Sequence, residues 1–281
     1  MYKLVIMIFA LLLISNIGFA EGKIGSDLEK RLNSLNRKEE FVPVVVLFEG
    51  VPSFKEVAKE YRFLGDNEVV KEQVIQVMKD NAHSLHFWLK QMCESRIASK
   101  VKGFKSIWIA NAVKLEATPS AINQIKNQPN VEKILLNEPV NMLLESKMTK
   151  KKKKIDAPGA WKYYKGNGIT VGVIDTGVNE HGDLKGRLRD GKNYITPGKP
   201  PRDDNKHGTH CAGTVAGDGD MGTKTGVAPK AKILAVKVLS GSGGGQWSNL
   251  WLSMEECLKK VEVLSMSLGG SQGTTTLEDA V

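Results

Sequence analysis

Apolar positions in the first half of the chain predict a small module of strands and helices. The run at 41–48 (FVPVVVLF) predicts a β-strand, and Pro43 places that strand at a sheet edge, because proline has no backbone N–H to donate. Between 67 and 99, apolar residues recur every three or four positions, which predicts an amphipathic helix. The buried stripe of this helix would comprise Val70, Val74, Val77, Met78, Leu85, Leu89 and Met92.

Two histidines, His83 and His86, belong to the same predicted helix. A histidine pair at this spacing can contribute to a metal site, but the pair alone does not complete a ligand set. We therefore expect both side chains on the solvated face of the helix.

The rest of this module is predicted to alternate strand and helix. Strands are expected near 107–117 and 131–136, and Thr118 with Pro119 is typical of a helix start between them. The first half of the chain therefore reads as a small α+β module.

In the second half of the chain, predicted strands alternate with predicted helices. Strands are predicted at 169–174, 231–238 and 261–266, and helices from about 207 and over 249–260. Such alternation predicts βαβ units in a parallel sheet, whose functional sites lie beyond the carboxyl ends of the strands. The predicted fold class is therefore α/β, with a parallel sheet flanked by helices and preceded by the α+β module.

The first twenty residues have the order of a secretory signal peptide. Lys3 precedes the apolar run 4–14, and small residues end the segment at Ala20. The apolar run is shorter than the roughly 20 residues that span a bilayer, which argues against a permanent anchor. We predict cleavage after Ala20, membrane contact only during export, and a secreted, extracytoplasmic protein.

Charge is concentrated at one place in the chain. Of the formal net charge of +9, Lys147 and the run 150–154 supply six, and removing these six leaves +3. A basic surface for nucleic acid would be spread over a folded face, so no nucleic-acid partner is expected. The lysine run instead predicts an exposed linker and a processing site, which divides the chain into a signal peptide (1–20), an amino-terminal domain (21–149) and a carboxyl-terminal domain (150–281).

The three cysteines predict neither a disulfide framework nor a zinc site. Cys93, Cys211 and Cys257 are odd in number and far apart, with neither disulfide-scaffold nor zinc-ligand spacing. Buried free thiols are the simplest interpretation, and one bridging pair stays open.

Chemistry is expected first at Asp175, which closes the strand at 169–174 within Asp175-Thr176-Gly177. The same tripeptide carries the catalytic carboxylate of aspartic proteases, but those enzymes need two such carboxylates sharing a proton. This sequence has one copy, in an α/β context, so the motif alone does not decide the chemistry.

A second block, His207-Gly208-Thr209-His210-Cys211-Ala212-Gly213, follows Asp175 by 32 residues. Together the two blocks resemble those of the subtilisin-like serine proteases, the subtilases of the peptidase S8 family. The resemblance implies that Asp175 and His207 are two members of a Ser-His-Asp triad. In such a triad the aspartate orients the histidine, and the histidine acts as general base. On this interpretation His210 and Cys211 are packing residues and not zinc ligands.

The resemblance continues through Gly226-Val227-Ala228-Pro229, the segment 234–239, the segment 243–248 and Met266 to Gly270. In the family, two extended backbones bind a protein or peptide substrate between them as an added β-strand. The residues that take this role here by match of motif are Gly243, Gly244, Gly245, Ser267, Leu268 and Gly269.

No cofactor is required by this chemistry, and a structural calcium ion is the one metal that the resemblance suggests. Asp183 and Asp220 lie where some relatives place calcium ligands, and loop oxygens suit that ion.

The amino-terminal module resembles the inhibitory propeptide of secreted subtilases of the bacillopeptidase F type. The resemblance rests on the segments 108–112 and 130–134 around the Thr118 helix. It implies an intramolecular inhibitor and folding template, released by cleavage between Leu144 and Asp156.

The family's nucleophile lies in a Gly-Thr-Ser-Met-Ala motif, and its oxyanion-hole asparagine also follows the Ser-Leu-Gly segment. Neither occurs in this sequence up to Val281, so we expect only the amino-terminal part of a catalytic domain, inactive alone. The alternatives are an inactive pseudoprotease, whose propeptide module acts as inhibitor or chaperone, and a nucleic-acid-binding protein that depends on the lysine run.

Overall fold

The computed structural model describes residues 23–37, 39–142, 157–222 and 226–270. In this part the chain divides into two compact units, one ending at Leu136 and the other beginning at Asn137. The predicted signal peptide and the lysine run lie outside the described residues. No helix of the described ranges is both long and apolar enough to cross a membrane.

The amino-terminal unit is a five-stranded sheet with helices packed on it. Its strands are β1 (Lys23–Ile24), β2 (Val42–Phe48), β3 (Val101–Ile107), β4 (Ala112–Ala117) and β5 (Val131–Leu136). Its helices are α1 (Ser26–Asn33), α2 (Phe54–Tyr61), α3 (Asn67–Arg96) and α4 (Pro119–Lys126). The strand order is β1-β5-β2-β4-β3, and only the β1–β5 pair is parallel. The predicted α+β module is confirmed, including its long helix.

The predicted edge position of β2 is wrong, because this strand lies in the middle of the sheet. β2 pairs with β4 from Val42 onward, whereas its pairing with β5 begins only at Val44. Pro43 therefore has a hydrogen-bonding neighbour on one side alone, and its missing N–H disrupts neither ladder.

The strand predicted at 107–117 is interrupted. A 3-10 turn at Trp108–Ala110 separates β3 from β4, and Asn111 adopts a left-handed φ of 42°. The Asn111 side chain donates a hydrogen bond to the carbonyl of Phe48, 2.8 Å away, which fixes this turn against the end of β2. An asparagine tolerates that backbone conformation better than most side chains.

His86 is also placed differently from the prediction. His83 is exposed, but His86 is only 3% exposed and lies among the buried residues of α3. Its Nδ1 is 2.6 Å from Ser106 Oγ on β3, and its ring is 5.3 Å from that of Phe48. Burial is the main cause that lowers the pKa of His86 from 6.5 to about 4, so the ring is neutral near pH 7.

The carboxyl-terminal unit contains the predicted parallel sheet. Its strands are β6 (Pro139–Met142), β7 (Thr170–Asp175), β8 (Leu188–Asn193), β9 (Lys232–Lys237), β10 (Gly244–Gln246), β11 (Val263–Ser265) and β12 (Leu268–Gly269). Its helices are α5 (Ala157–Ala160), α6 (His207–Ala216) and α7 (Trp247–Cys257). The order β11-β7-β9-β8 is parallel throughout, and β10-β6-β12 forms a second, antiparallel sheet. The α/β class is confirmed, whereas β8 was not predicted.

The core of this unit fixes the position of β7. All six residues of β7 are buried, and α6 and α7 both contact this strand. Small side chains on α6, such as Ala212 and Ala216, pack with Val171 and Val173 of β7. The carboxyl end of β7, and with it Asp175, is therefore held rigidly at the sheet edge.

Candidate active site

Asp175 and His207 form a direct contact at the carboxyl end of the parallel sheet. Asp175 Oδ1 is 2.8 Å from His207 Nδ1, and the two side chains are 1% and 16% exposed. Asp175 Oδ1 also accepts a hydrogen bond from the backbone N–H of Thr176 at 2.7 Å. The carboxylate thus orients the imidazole through Nδ1, and Nε2 becomes the ring nitrogen that a general base would use.

Glycines allow the segments that carry Asp175 and His207 to approach each other. His207 is the first residue of α6, and a Cβ on Gly208 would lie 2.1 Å from the carbonyl oxygen of Gly177. Gly208 instead donates its N–H to Thr176 Oγ1 at 2.9 Å. Gly177 has a φ of 100°, a conformation that glycine adopts without strain. Gly177 and Gly208 are therefore both needed for this packing.

Cys211 lies one helical turn after His207 and beside the pair. Its Sγ is 3.9 Å from His207 Nδ1, and burial raises the pKa of the thiol. The donor atoms of Asp175, His207 and Cys211 lie within 4.8 Å of one another, and no other such group occurs among the described residues. Since Asp175 and His207 bind each other, we interpret the group as an Asp–His pair with a thiol neighbour. His210 is exposed and not packed as predicted.

The segments predicted to bind substrate lie on either side of a strand from the same chain. β6 runs antiparallel between β10 and β12, with Asn141 opposite both Gly244 and Gly269. Gly243, at the start of this arrangement, accepts a hydrogen bond from the Met142 N–H at 2.9 Å. The structure thus brings the two predicted segments together and places an extended peptide between them.

The side chains of β6 alternate in exposure. Val140 is buried, Asn141 is exposed, and Met142 is half-buried. A Cβ on Gly243 would lie 2.9 Å from Met142 Sδ, so the methionine side chain covers this glycine. The alternation and the close contact are those of a strand bound in a groove by its backbone, with every second side chain facing inward.

The two candidate calcium ligands, Asp183 and Asp220, make different hydrogen bonds. Asp183 is buried, and its Oδ1 accepts the N–H of Met221 at 2.7 Å. Asp220 donates its own N–H to Asp218 Oδ1 at 3.2 Å, and Asp218 pairs with Arg187. Over the described ranges, which omit 223–225, the two aspartates do not join a third metal-binding side chain. The calcium site stays a prediction.

Two buried charged residues beside the pair were not singled out from the sequence. Lys237, at the end of β9, donates hydrogen bonds to the carbonyl of Thr176 and to Asp204 Oδ1. Asp203 is 8% exposed and lies four residues before His207. A lysine within the otherwise apolar run 233–238 was the available signal for the first, and the Asp-Asp pair just before the His-Gly-Thr-His block was the signal for the second.

The structure is that of an α/β protein with a hydrogen-bonded Asp–His pair at the carboxyl edge of its parallel sheet, an arrangement compatible with two members of a Ser-His-Asp triad. Residues 166–281 match the sequence profile of the subtilase family. The chain therefore carries a subtilase-family domain in its carboxyl-terminal part.

Curated relatives agree with this assignment. The chain is 33% identical over 213 residues to the serine protease AprX of Bacillus subtilis (strain 168), covering 71% of this chain and 47% of that protein. It is 40% identical over 131 residues to thermitase of Thermoactinomyces vulgaris, covering 46% and 47%. It is 30% identical over 259 residues to the alkaline protease of Alkalihalobacillus alcalophilus, covering 90% and 65%. The chain spans about half the length of the first two relatives.

Proposed function

We propose that this chain is the amino-terminal part of a secreted serine endopeptidase precursor of the bacillopeptidase F type. The observation that carries the proposal is the 2.8 Å contact between Asp175 Oδ1 and His207 Nδ1 at the sheet edge. A nucleophilic serine and an oxyanion-hole asparagine would be supplied by sequence that follows Val281.

The proposed reaction uses this Asp–His pair together with the serine. His207 accepts the serine proton at Nε2 while the serine oxygen attacks the peptide carbonyl, forming a C–O bond. The imidazolium then gives the proton to the leaving amine as the C–N bond breaks, and water hydrolyses the acyl-enzyme. Asp175 holds the tautomer and stabilises the imidazolium. The substrate peptide would lie between β10 and β12 as an added strand.

The same site supports an inhibitory role for the residues before the lysine run. β6 occupies the position between β10 and β12 that a substrate strand would take. Residues 21–149 would thus act as a propeptide that blocks the groove until the chain is cut between 144 and 156. The competing hypothesis, a pseudoprotease whose propeptide alone functions, shares this arrangement but requires that no serine follow.

The test begins with the coding sequence beyond Val281, followed by expression of the protein that it encodes. We expect an in-frame Gly-Thr-Ser-Met-Ala-type motif and hydrolysis of a chromogenic peptide that depends on His207. A stop codon directly after Val281 would exclude catalysis by this chain and favour the pseudoprotease.

A further inference from the structure

The buried carboxylate of Asp203 joins the two elements that carry Asp175 and His207. Its Oδ1 accepts hydrogen bonds from Thr176 Oγ1 at 2.8 Å and from the N–H groups of Asn205 and Lys206, both at 2.9 Å. Its Oδ2 accepts from Thr209 N at 2.9 Å and from Thr209 Oγ1 at 2.6 Å. Five donors therefore converge on one carboxylate, which lies outside the Asp–His contact itself.

The hydrogen bond from Thr176 connects Asp203 to Asp175. Thr176 is completely buried, and its N–H donates to Asp175 Oδ1. The Thr176 hydroxyl donates to Asp203 and accepts the N–H of Gly208, which directly follows His207. Thr176 is thus the link through which Asp203 holds the catalytic carboxylate and the start of α6 in one network.

The hydrogen bonds from Lys206 and Thr209 connect Asp203 to the two sides of His207. Lys206, the residue before α6, has a left-handed φ of 85° and provides no side-chain cap. Asp203 supplies the missing cap, because Oδ2 accepts the N–H of Thr209 in the first turn while Oδ1 accepts the N–H of Lys206. The direction in which α6 starts, and hence the position of the His207 ring, depends on these bonds.

The carboxylate is suited to this role only when it is ionised. Burial alone would raise the pKa of Asp203, but the hydrogen bonds from Thr209, Asn205 and Thr176 outweigh that effect and lower it. A negative charge at the amino end of α6 is also favoured by the helix dipole. A neutral side chain would lose at least part of both effects.

We infer that Asp203 is the positioning residue that sets the geometry of the Asp175–His207 contact. It acts through Thr176 on one side and through the first turn of α6 on the other, and it touches neither reacting atom. The catalytic meaning of this role rests on the proposed function, whereas the contact itself can be measured without any activity.

The experiment is proton NMR of the 281-residue chain at a pH where His207 is protonated. The Nδ1 proton shared with Asp175 gives a strongly deshielded resonance, identified by its loss in His207→Ala. We expect Asp203→Asn to shift this resonance upfield or broaden it beyond detection. The matched control is Asp190→Asn, an exposed carboxylate paired with Arg202, which should leave the resonance unchanged. An unchanged resonance in Asp203→Asn would overturn the inference.

A second pair of variants applies if Asp203→Asn does not fold. Thr209→Val removes one bond to Asp203, and Thr209→Ser retains it. We expect a smaller upfield shift in the valine variant and none in the serine variant, and equal spectra for both would contradict the role.

In the extended, active protein, Asp203→Asn should lower kcat about 100-fold with little change in KM, as expected for misplacement of about 1 Å. If the extended protein shows no activity but the NMR result holds, the proposed function fails and the positioning role stands.

Discussion

At the scale of single residues, the two units show opposite ways of burying a titratable group. Asp203 is buried with its charge, because five hydrogen-bond donors replace the water it loses. His86 is buried without charge beside Ser106 and Phe48, because its surroundings are mainly apolar. The first arrangement stabilises an ion, and the second makes protonation unfavourable.

The burial of His86 predicts that acid destabilises the fold. The folded pKa is about 4 and the ordinary value is 6.5, so between these pH values the unfolded chain binds more protons. This contribution to stability is fully present above pH 6.5 and is lost as the pH falls to about 4. The pKa difference corresponds to about 3 kcal/mol. Urea unfolding at several pH values, compared with His86→Phe, should show the smaller pH slope in the variant.

His83→Gln is the matched control for this experiment, since His83 is exposed on the same helix. It should keep nearly the full slope of the wild type, apart from a small effect of removing the charge near His86. Identical slopes for wild type and His86→Phe would show that His86 is not buried in the neutral form.

Two glycines of α6 should respond in opposite ways to substitution by alanine. A Cβ at Gly208 would clash with the Gly177 carbonyl, whereas a Cβ at Gly213 has no atom within 4 Å. We expect Gly208→Ala to lower the free energy of unfolding by about 1–3 kcal/mol. Gly213→Ala should raise it by about 0.5–1 kcal/mol through helix propensity. Equal effects in urea unfolding would contradict the close approach of α6 to the Asp-Thr-Gly turn.

Among the helices and strands, the start of α7 is stabilised by the two residues that precede β6. α7 follows Gln246, which provides no side-chain cap. Asn137, just before β6, accepts the Ser248 N–H at 3.3 Å and donates to Ser248 Oγ at 3.0 Å. The carbonyl of Glu138 accepts the N–H of Trp247 at 3.3 Å. Two of the N–H groups at the start of α7, those of Trp247 and Ser248, are therefore satisfied by the residues just before β6.

This capping predicts the effect of Asn137→Ala. Loss of a helix cap costs about 1 kcal/mol, so amide hydrogen exchange of Ser248 should accelerate about fivefold. Asn141→Ala, at an exposed position of β6 that pairs through its backbone, should leave this exchange rate unchanged. Equal rates at Ser248 in wild type and Asn137→Ala would rule out the cap.

Helical and strand periodicity predicted most elements, because these patterns report which face of an element is buried. The long helix α3 and the strands β2, β5, β7 and β9 were recognised in this way. Periodicity could not show that β2 has one neighbour at Pro43 and two from Val44, since that depends on how strands register. It also could not show that β3 provides a serine to a buried His86.

At the scale of the whole molecule, motifs located Asp175 and His207 but not the residues that support them. A motif match identifies only the positions that belong to the motif. Asp203 and Lys237 contact Thr176 from elements far apart in sequence, and such contacts follow only from the folded chain. The sequence patterns also did not predict the strand β6 between β10 and β12, because a strand of four residues is too short to specify its partners.

The proposed function requires that His207, held by Asp175, be the general base of a serine endopeptidase. The most direct test is to measure kcat for peptide hydrolysis by the protein extended beyond Val281, in wild type and in His207→Ala. We predict a loss of about 10⁶-fold in kcat, the value known for the corresponding change in subtilisin, and no comparable loss in His210→Ala, an exposed histidine on the same helix. Hydrolysis that survives in His207→Ala at the wild-type rate would contradict the claim.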